Sequence, residues 1–502
     1  MEGITTGFAA VLDPMTICWV FVGVFVGYVV GAIPGMGKGV TVAVSIPLTF
    51  YMTPIIAISF LVGIAKGSTA GSAVSAILLN VPGEASSAPT ALDGFPLSQQ
   101  GKSQKALKMG LYASVIGDLV STVALILLAP PLASFALLIS PIEMAAILLF
   151  SLTFIAGLAG GSLERGLIAG MFGLLVATVG AEPETAIERF TYGFLELYDG
   201  LAIVPVAIGM LATSEMVAQI AQSYGRRKNH AAVPVAKTAD DKRVTKDDWR
   251  RSGPSIARGT VIGIGIGILP GLGASIASFL SYGAAKRASK TPEKFGQGAI
   301  EGVAASESAD NAVVPASFVP LFALGIPGSV IAAVLIGAFV IHGVTPGPMM
   351  FVRQPELVYG IYAAMILASF ALLTIGSVGQ RFFSWVVTLP MKFIAPTVVY
   401  FCALGAYLEG GGIFDVSIMI IFGVIGFFAK KYDYSFVTFL IGFVVGPAFE
   451  LALRQSIALT NGDPRALVEH PIAIVFLLLT LLAVWRFAAF QKKQRREKGT
   501  PS

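Results

Sequence analysis

The sequence predicts an all-α polytopic membrane protein with about ten to twelve transmembrane segments, some broken or re-entrant. Three observations carry that prediction. Of 502 residues, 55% are hydrophobic and only 13% charged, and the mean hydropathy is +0.80, well above the balance of a soluble globular chain. Apolar stretches approaching the ~20 residues that a spanning helix needs recur along the chain. Proline-glycine pairs interrupt several of them, as in IPGMG at Ile33–Gly37 and LPGLG at Leu269–Gly273.

The first apolar stretch, near 16–33, has neither the basic start nor the small-residue cleavage site of a secretory signal, so it is expected to remain as a membrane helix. Further stretches lie near 110–139, 141–160, 164–180, 198–222, 256–283, 329–345, 356–378, 396–407, 412–428, 433–450 and 470–490. The polar segment from Ser223 to Pro254 contains RRKNH, DDKR and KDDWRR, which no bilayer interior accepts. Its excess of Lys and Arg, like that of the tail QKKQRREK, assigns both to the cytoplasmic side. The mostly acidic charges between Glu182 and Asp199 suit the opposite side, and Glu2 and Asp13, with no basic residue before Lys38, suit an outside N-terminus. The expected organisation is a first membrane repeat over 1–222, a cytoplasmic basic linker over 223–254, a second repeat over 255–450, a C-terminal transmembrane segment over 451–490 and a cytoplasmic basic tail over 491–502. The net charge of +5 thus reads as topology, not nucleic-acid binding.

The repeat is read from a shared grammar. IPGMG is followed by GSTAGSAVSAILLNVPG at Gly67–Gly83, and LPGLG by SESADNAVVPASFVPLFALGIPG at Ser306–Gly328. If one half enters from outside and the other from the cytoplasmic linker, the copies are inverted, as in many secondary transporters. The basic stretch KRASKTPEK after Ala285 then requires an outside location or a re-entrant segment before it.

The stretch GAIPGMGKGVT at Gly31–Thr41 has the look of a phosphate-binding loop but not its spacing: five residues separate Gly31 from Gly37, and Gly39 follows Lys38. Proline removes a backbone donor, and glycine allows conformations closed to other residues, so Pro-Gly inside an apolar segment marks a helix break. Such breaks belong inside the protein, where half-helix N-termini can hold a carboxylate and unwound carbonyls a small cation. Small polar residues surround them: Ser68, Thr69, Ser72, Ser75 and Asn80 in one copy, Ser306, Ser308, Asp310 and Asn311 in the other. Helix-packing glue is the alternative role for residues of this type. Charge is the sharper signal, because a Lys or Asp at mid-span costs roughly 2.5 to 3.5 kcal/mol. Lys38, Lys66, Glu307 and Asp310 lie in or beside the broken segments, as either site residues or snorkelling interfacial ones. The candidate substrate-binding set is Gly35, Gly37, Lys38, Lys66, Ser68, Thr69, Ser72, Asn80, Gly83, Gly271, Gly273, Asn311 and Gly328; the candidate coupling-cation set is Ser306, Glu307 and Asp310. Cys18 and Cys402, with His230, His342 and His470, show no metal-ligand spacing, and no nucleophile-base set is evident. Neither a metal, a cofactor beyond a coupling Na+ or H+, nor an enzymatic activity is expected.

Through IPGMG, SIPLTFYMTP, SAILLNVPGEASSAPTALDGFPLSQQGK, GILPGLGASIASFLSYGAAKR, GAIEGVAA, LGIPG and HGVTPGP, the chain resembles the large membrane subunit of the tripartite tricarboxylate transporters, the TctA family. The resemblance covers most of both halves. It implies a bacterial inner-membrane permease that works with a small membrane subunit of about four helices and a periplasmic solute-binding protein. It also implies uptake of citrate or a related carboxylate, driven by a sodium or proton gradient. Against the family pattern, Lys38 replaces a usual proline, Lys66 an aromatic residue, Ser72 a glycine and Ala323 a threonine. Ser306–Asn311 replaces Pro-Glu-Ala-Ala-Asn-Asn, so that a carboxylate, Asp310, stands for an amide. A channel-like anion pore, a carrier of a different small organic anion and a structural subunit are the competing readings.

Overall fold

The structure is a computed structural model; it describes residues 2–159, 162–182, 185–223, 238, 240–387, 391–409 and 412–497. The RRKNH part of the linker and the end of the basic tail lie outside these residues. Eight of the described helices are long and apolar enough to cross a membrane, and four shorter apolar helices accompany them.

The first half begins with α1 (Glu2–Val11) and α2 (Pro14–Ala32), continues through α3 (Lys38–Ser45) and α4 (Pro54–Leu79), and closes with α5 (Ala88–Gln99) and α6 (Ser103–Ala136). Asp13 caps α2 by accepting from the amides of Met15 and Thr16, the partner that orphaned N-terminal amides need. The chain leaves helix at Ile33, where Pro34 and a left-handed Gly35 (φ 81°) follow. Helices α2 and α4 pack backbone to backbone: a Cβ on Gly23, Gly27 or Gly31 would lie 2.3 Å from the carbonyl oxygens of Phe60, Ile64 and Ser68 respectively. Both series rise together, so the two helices run parallel. Between them α3 must therefore lead back to the face from which α2 started, and α2–α3 forms a re-entrant hairpin.

Pro54–Leu79 was not among the stretches expected to span. It is one continuous 26-residue helix. Its Gly, Ser and Thr residues dilute the hydropathy because they face another helix rather than lipid.

Helices α7 (Pro141–Ala159) and α8 (Leu163–Val176) lead to a short hairpin of β1 (Gly180–Ala181) and β2 (Glu188–Arg189). A continuous helical segment follows, made of α9 (Ile203–Ile208), a π turn (Gly209–Thr213) and α10 (Ser214–Ser223).

The second half has α11 (Lys246–Ile268), α12 (Gly273–Ala288), α13 (Ile300–Ala316), α14 (Phe318–Leu324) and α15 (Val330–Ile341). Thr245 and Asp248 form a capping box at the start of α11. Burial raises the Asp248 carboxyl, but the Thr245 amide and hydroxyl and the Lys105 ammonium outweigh it and hold the group below the usual carboxylate range. A Cβ on Gly259, Gly263 or Gly267 would meet α13 atoms at 2.3, 2.5 and 2.6 Å, in rising order along both helices. Here too the two helices run parallel, and α12 between them returns to the face where α11 began. The stretch 256–283, expected as one span, is thus two limbs of a hairpin around Leu269–Leu272. The stretch KRASKTPEK follows this hairpin and lies beside the start of α11, on the linker face.

The two hairpins open to opposite faces. Lys105 and Lys108 near the start of α6 bond Asp248 and the Lys242 carbonyl, placing that end on the linker face. Helix α17 (Pro355–Val386), after the short α16 (Met350–Arg353), runs antiparallel to α6, with Ser369 on Asp118 and Gly376 against Leu111. Its start lies on the far face beside Gly7 of α1 and Ile55 of α4. The remaining helices, α18 (Met391–Leu408), α19 (Ile413–Lys431), α20 (Phe436–Thr460) and α21 (Pro471–Glu497), pack with α7 to α10.

Candidate functional site

Four helix breaks meet at the centre. Helix α4 ends in a left-handed Asn80 (φ 53°) and α14 in a left-handed Gly325 (φ 73°), the conformation that closes helix C-termini. Pro-Gly follows each cap. A Cβ on Gly83 would lie 2.9 Å from the Gly31 carbonyl oxygen, so the second break of the first half folds back onto the first. In the second half the Gly271 amide donates to the Gly328 carbonyl at 3.3 Å. The halves also interleave. Gly39 at the start of α3 abuts Val330 at the start of α15, and the turn Ala85–Ser87 packs on α12.

A buried polar cluster occupies this junction. Lys38, the first residue of α3, places Nζ 2.8 Å from Asp310 Oδ1, 3.2 Å from Glu84 Oε2 and 3.5 Å from Ser86 Oγ. Ser86 donates to Asp310 Oδ2 at 2.9 Å. The Asp310 side chain is wholly buried and that of Lys38 nearly so, whereas Glu84 keeps 30% exposure and lies on the accessible side of the cluster. One turn away on α13, Glu307 accepts from Thr90 Oγ1 at 2.6 Å and Ser114 Oγ at 3.1 Å, and Asn311 Nδ2 lies 3.5 Å from it. Thr90 Oγ1 is also 2.7 Å from Ser306 Oγ. Glu307 has no basic partner among the described residues. One ammonium therefore faces three carboxylates. If all are ionised the junction is negative overall, and an approaching anion is repelled until cations neutralise it.

The predicted glycines and Asn311 fall at this junction. Gly37 is the N-cap of α3 and faces Glu84. Gly35 and Gly271 take positive φ at the two first breaks, and Gly273 (φ 71°) opens α12 into free space. Asn311 joins the Glu307 group through Ser114 at 2.8 Å. Asp310, which the sequence places in the coupling-cation set, forms an ion pair with Lys38. Asn80 is an exposed helix cap.

Other predicted residues are placed elsewhere. Lys66 lies in mid-helix α4, not at a break, and its ammonium contacts Asp118 (2.8 Å), Thr122 (3.0 Å), the Met365 carbonyl (2.7 Å) and Ser369 (3.1 Å). This closed network joins α4, α6 and α17; with every donor occupied, Lys66 has no proton left for a substrate. Ser68 and Thr69 donate to the Ala65 carbonyl, and Ser72 to the Thr69 carbonyl, with Ser72 also meeting Ser87. Their hydroxyls serve the helix pair, so the packing role describes Ser68 and Thr69.

Sequence reasoning missed Glu84, Ser86, Thr90, Ser114 and Asp118. The signal available was a pair of acidic residues, in PGEASS and IGDLV, next to apolar stretches. It also missed Asp93 of α5. That buried carboxylate accepts from the amides of Gly296, Gly298 and Ala299 at 2.8–2.9 Å and from Tyr282 Oη at 2.9 Å.

Comparison with known proteins gives this geometry a family. The tripartite tricarboxylate transporter TctA family matches residues 17–441. An uncharacterized 52.8 kDa protein in the TAR-I ttuC' 3'region of Agrobacterium vitis is 37% identical over 484 residues, 96% of this chain and 95% of that one. An uncharacterized protein in the TAR-II ttuC' 3'region of the same organism is 39% identical over 219 residues, 44% of this chain and 90% of its own length. No solved structure matches. With the match running from α2 into α20, through all four central breaks, the chain belongs to the TctA family of membrane components of tripartite tricarboxylate transporters.

Proposed function

We propose that this chain is the permease subunit of a binding-protein-dependent secondary transporter that imports a tricarboxylate or related carboxylate by symport with Na+ or H+. The observation that carries the proposal is the junction of four helix breaks around Lys38, Glu84, Asp310 and Glu307. An incoming carboxylate competes with Glu84 for the Lys38 ammonium and the open amides of α3 and α12. The cation partner is Glu307 with Thr90, Ser114 and Ser306, an all-oxygen group suited to Na+ or to a proton. Loading it lowers the negative charge of the junction, and this couples cation to anion.

The division into a first repeat over 1–222, a linker over 223–254, a second repeat over 255–450, a terminal segment over 451–490 and a tail is part of the same proposal. Hairpins α2–α3 and α11–α12, open to opposite faces, favour inverted repeats and alternating access by an elevator-like movement. We place the protein in a bacterial inner membrane with linker and C-terminus cytoplasmic. Its partners are a small four-helix subunit and a periplasmic solute-binding protein.

The test is uptake into proteoliposomes of the chain with its cognate small subunit and binding protein, using a panel of labelled carboxylates under imposed Na+ or H+ gradients. Accumulation above equilibrium that stops when the cation gradient collapses supports the proposal. Flux that only equalises concentrations marks a channel-like pore and overturns it.

A further inference from the structure

On the linker face, away from the central junction, a cavity of about 490 Å³ opens between the first turns of α11 and the end of α12 with the turn after it. Arg250, Arg258, Lys290 and Lys294 line it, together with Ser255 and Glu301. Arg251 also reaches it but is neutralised by Asp247 at 2.7 Å. The four remaining cations make no ion pair with any described residue. Arg258 is the informative one. Its side chain is half-buried on the cavity wall, and no acidic group among the described residues pairs with it. Ser255 beside it is a buried residue of the cavity wall, and its hydroxyl has no hydrogen-bond partner among the described residues. With Asp247 spent on Arg251, four unpaired cations face the single carboxylate of Glu301, so the cavity keeps a net positive charge complementary to an anion.

The position says which anion. Arg258 is the last charged residue of α11; from Gly259 to Ile268 the helix is uncharged. Helix α12 carries no charge from Gly273 to Ala285, and its first cation is Lys286. The cavity therefore sits at the depth where apolar helix gives way to basic residues, the level of lipid headgroups. Trp249, stacked on Tyr112 at 5.6 Å, lies near the same level, as interfacial aromatics do. Towards the membrane centre the two helices present Val261, Ile276, Phe279 and Leu280, all exposed in the isolated chain. An anion held by Arg258 and carrying acyl chains would lay them along that strip.

We infer that this cavity binds the phosphate headgroup of an anionic phospholipid. The guanidinium forks of Arg250 and Arg258 match phosphate oxygens, Lys290 and Lys294 supply point charges from the opposite wall, and Ser255 donates a hydrogen bond. Because α12 runs from the cavity to Gly273 at the central junction, a bound headgroup anchors the returning limb of the second hairpin to the membrane surface.

The experiment uses the full-length protein delipidated in a neutral detergent, titrated with phosphatidylglycerol, phosphatidylcholine or inorganic phosphate while thermal unfolding and retained lipid (native mass spectrometry) are followed. Phosphatidylglycerol should raise the unfolding midpoint and remain bound, with phosphatidylcholine and inorganic phosphate doing neither. Arg258→Gln with Lys290→Gln should weaken the phosphatidylglycerol effect by about tenfold or more, while Arg243→Gln, an exposed charge on the same face, should leave it unchanged. If the double variant does not fold, Arg250→Gln with Lys294→Gln takes its place. Equal stabilisation by phosphatidylcholine, equal stabilisation by inorganic phosphate, or unchanged phosphatidylglycerol binding in these variants overturns the assignment.

Discussion

Lys38, the first residue of α3, and Asp310, in the middle of α13, are 272 residues apart in sequence and 2.8 Å apart in space. They belong to different halves, so this pair is an ionic link across the central junction. Its partners differ in exposure. Asp310 is sealed and Glu84 half-open, so the ammonium has one fixed counterion and one exchangeable one.

Removing one partner leaves a buried charge. Lys38→Ala should destabilise the protein by about 3–5 kcal/mol, seen as a lower thermal midpoint, and should weaken carboxylate binding. Lys38→Ala combined with Asp310→Asn should recover most of the stability but not the binding. Recovery of both would remove Lys38 from the substrate site.

Glu84→Gln should act in the opposite direction, freeing the ammonium from its exchangeable partner. Tighter carboxylate binding in an equilibrium titration is expected, with little change in stability because Glu84 is the most exposed member of the cluster.

Glu307→Gln keeps the size of the side chain and its contact with Thr90 while removing the charge. Substrate exchange across the membrane at equal concentrations should persist. Cation-driven accumulation should fall to background in the same proteoliposomes, and undiminished accumulation would reject Glu307 as the coupling group.

Lys66 should behave as scaffold. Lys66→Met alone should cost about 3–5 kcal/mol, and Lys66→Met with Asp118→Leu should restore much of it. Neither change should alter carboxylate affinity in the folded fraction.

Gly27→Ala places a methyl group 2.3 Å from the Ile64 carbonyl oxygen and should cost about 1–3 kcal/mol. Gly265→Ala, with nothing within 4 Å, is the control and should leave the thermal midpoint unchanged or slightly raised.

The breaks were legible in the sequence because their cause is local: Pro34-Gly35, Pro82-Gly83, Pro270-Gly271 and Pro327-Gly328 cannot continue an apolar helix, whatever surrounds them. Lys38 and Glu307 were legible because an ionised group inside apolar sequence demands a partner. The partner itself was not legible. Glu84, Ser86 and Thr90 acquire their roles only when the chain after α4 folds back against α13, which no spacing in the sequence encodes. Ser68 and Thr69 were misplaced for a different reason. A hydroxyl beside glycine has the same composition whether it holds a ligand or lets two helices touch, and only the close packing at Gly31, where an added Cβ would lie 2.3 Å from the Ser68 carbonyl oxygen, distinguishes them.

Asp93 bolts the two halves at a second place. Three amides of the loop before α13 and the phenol of Tyr282 on α12 all end on one carboxylate of α5. Whatever displacement carries cargo across the bilayer, α5, α12 and the loop at 296–299 must travel as a single block. Any sliding seam then lies on the outer flank of that block.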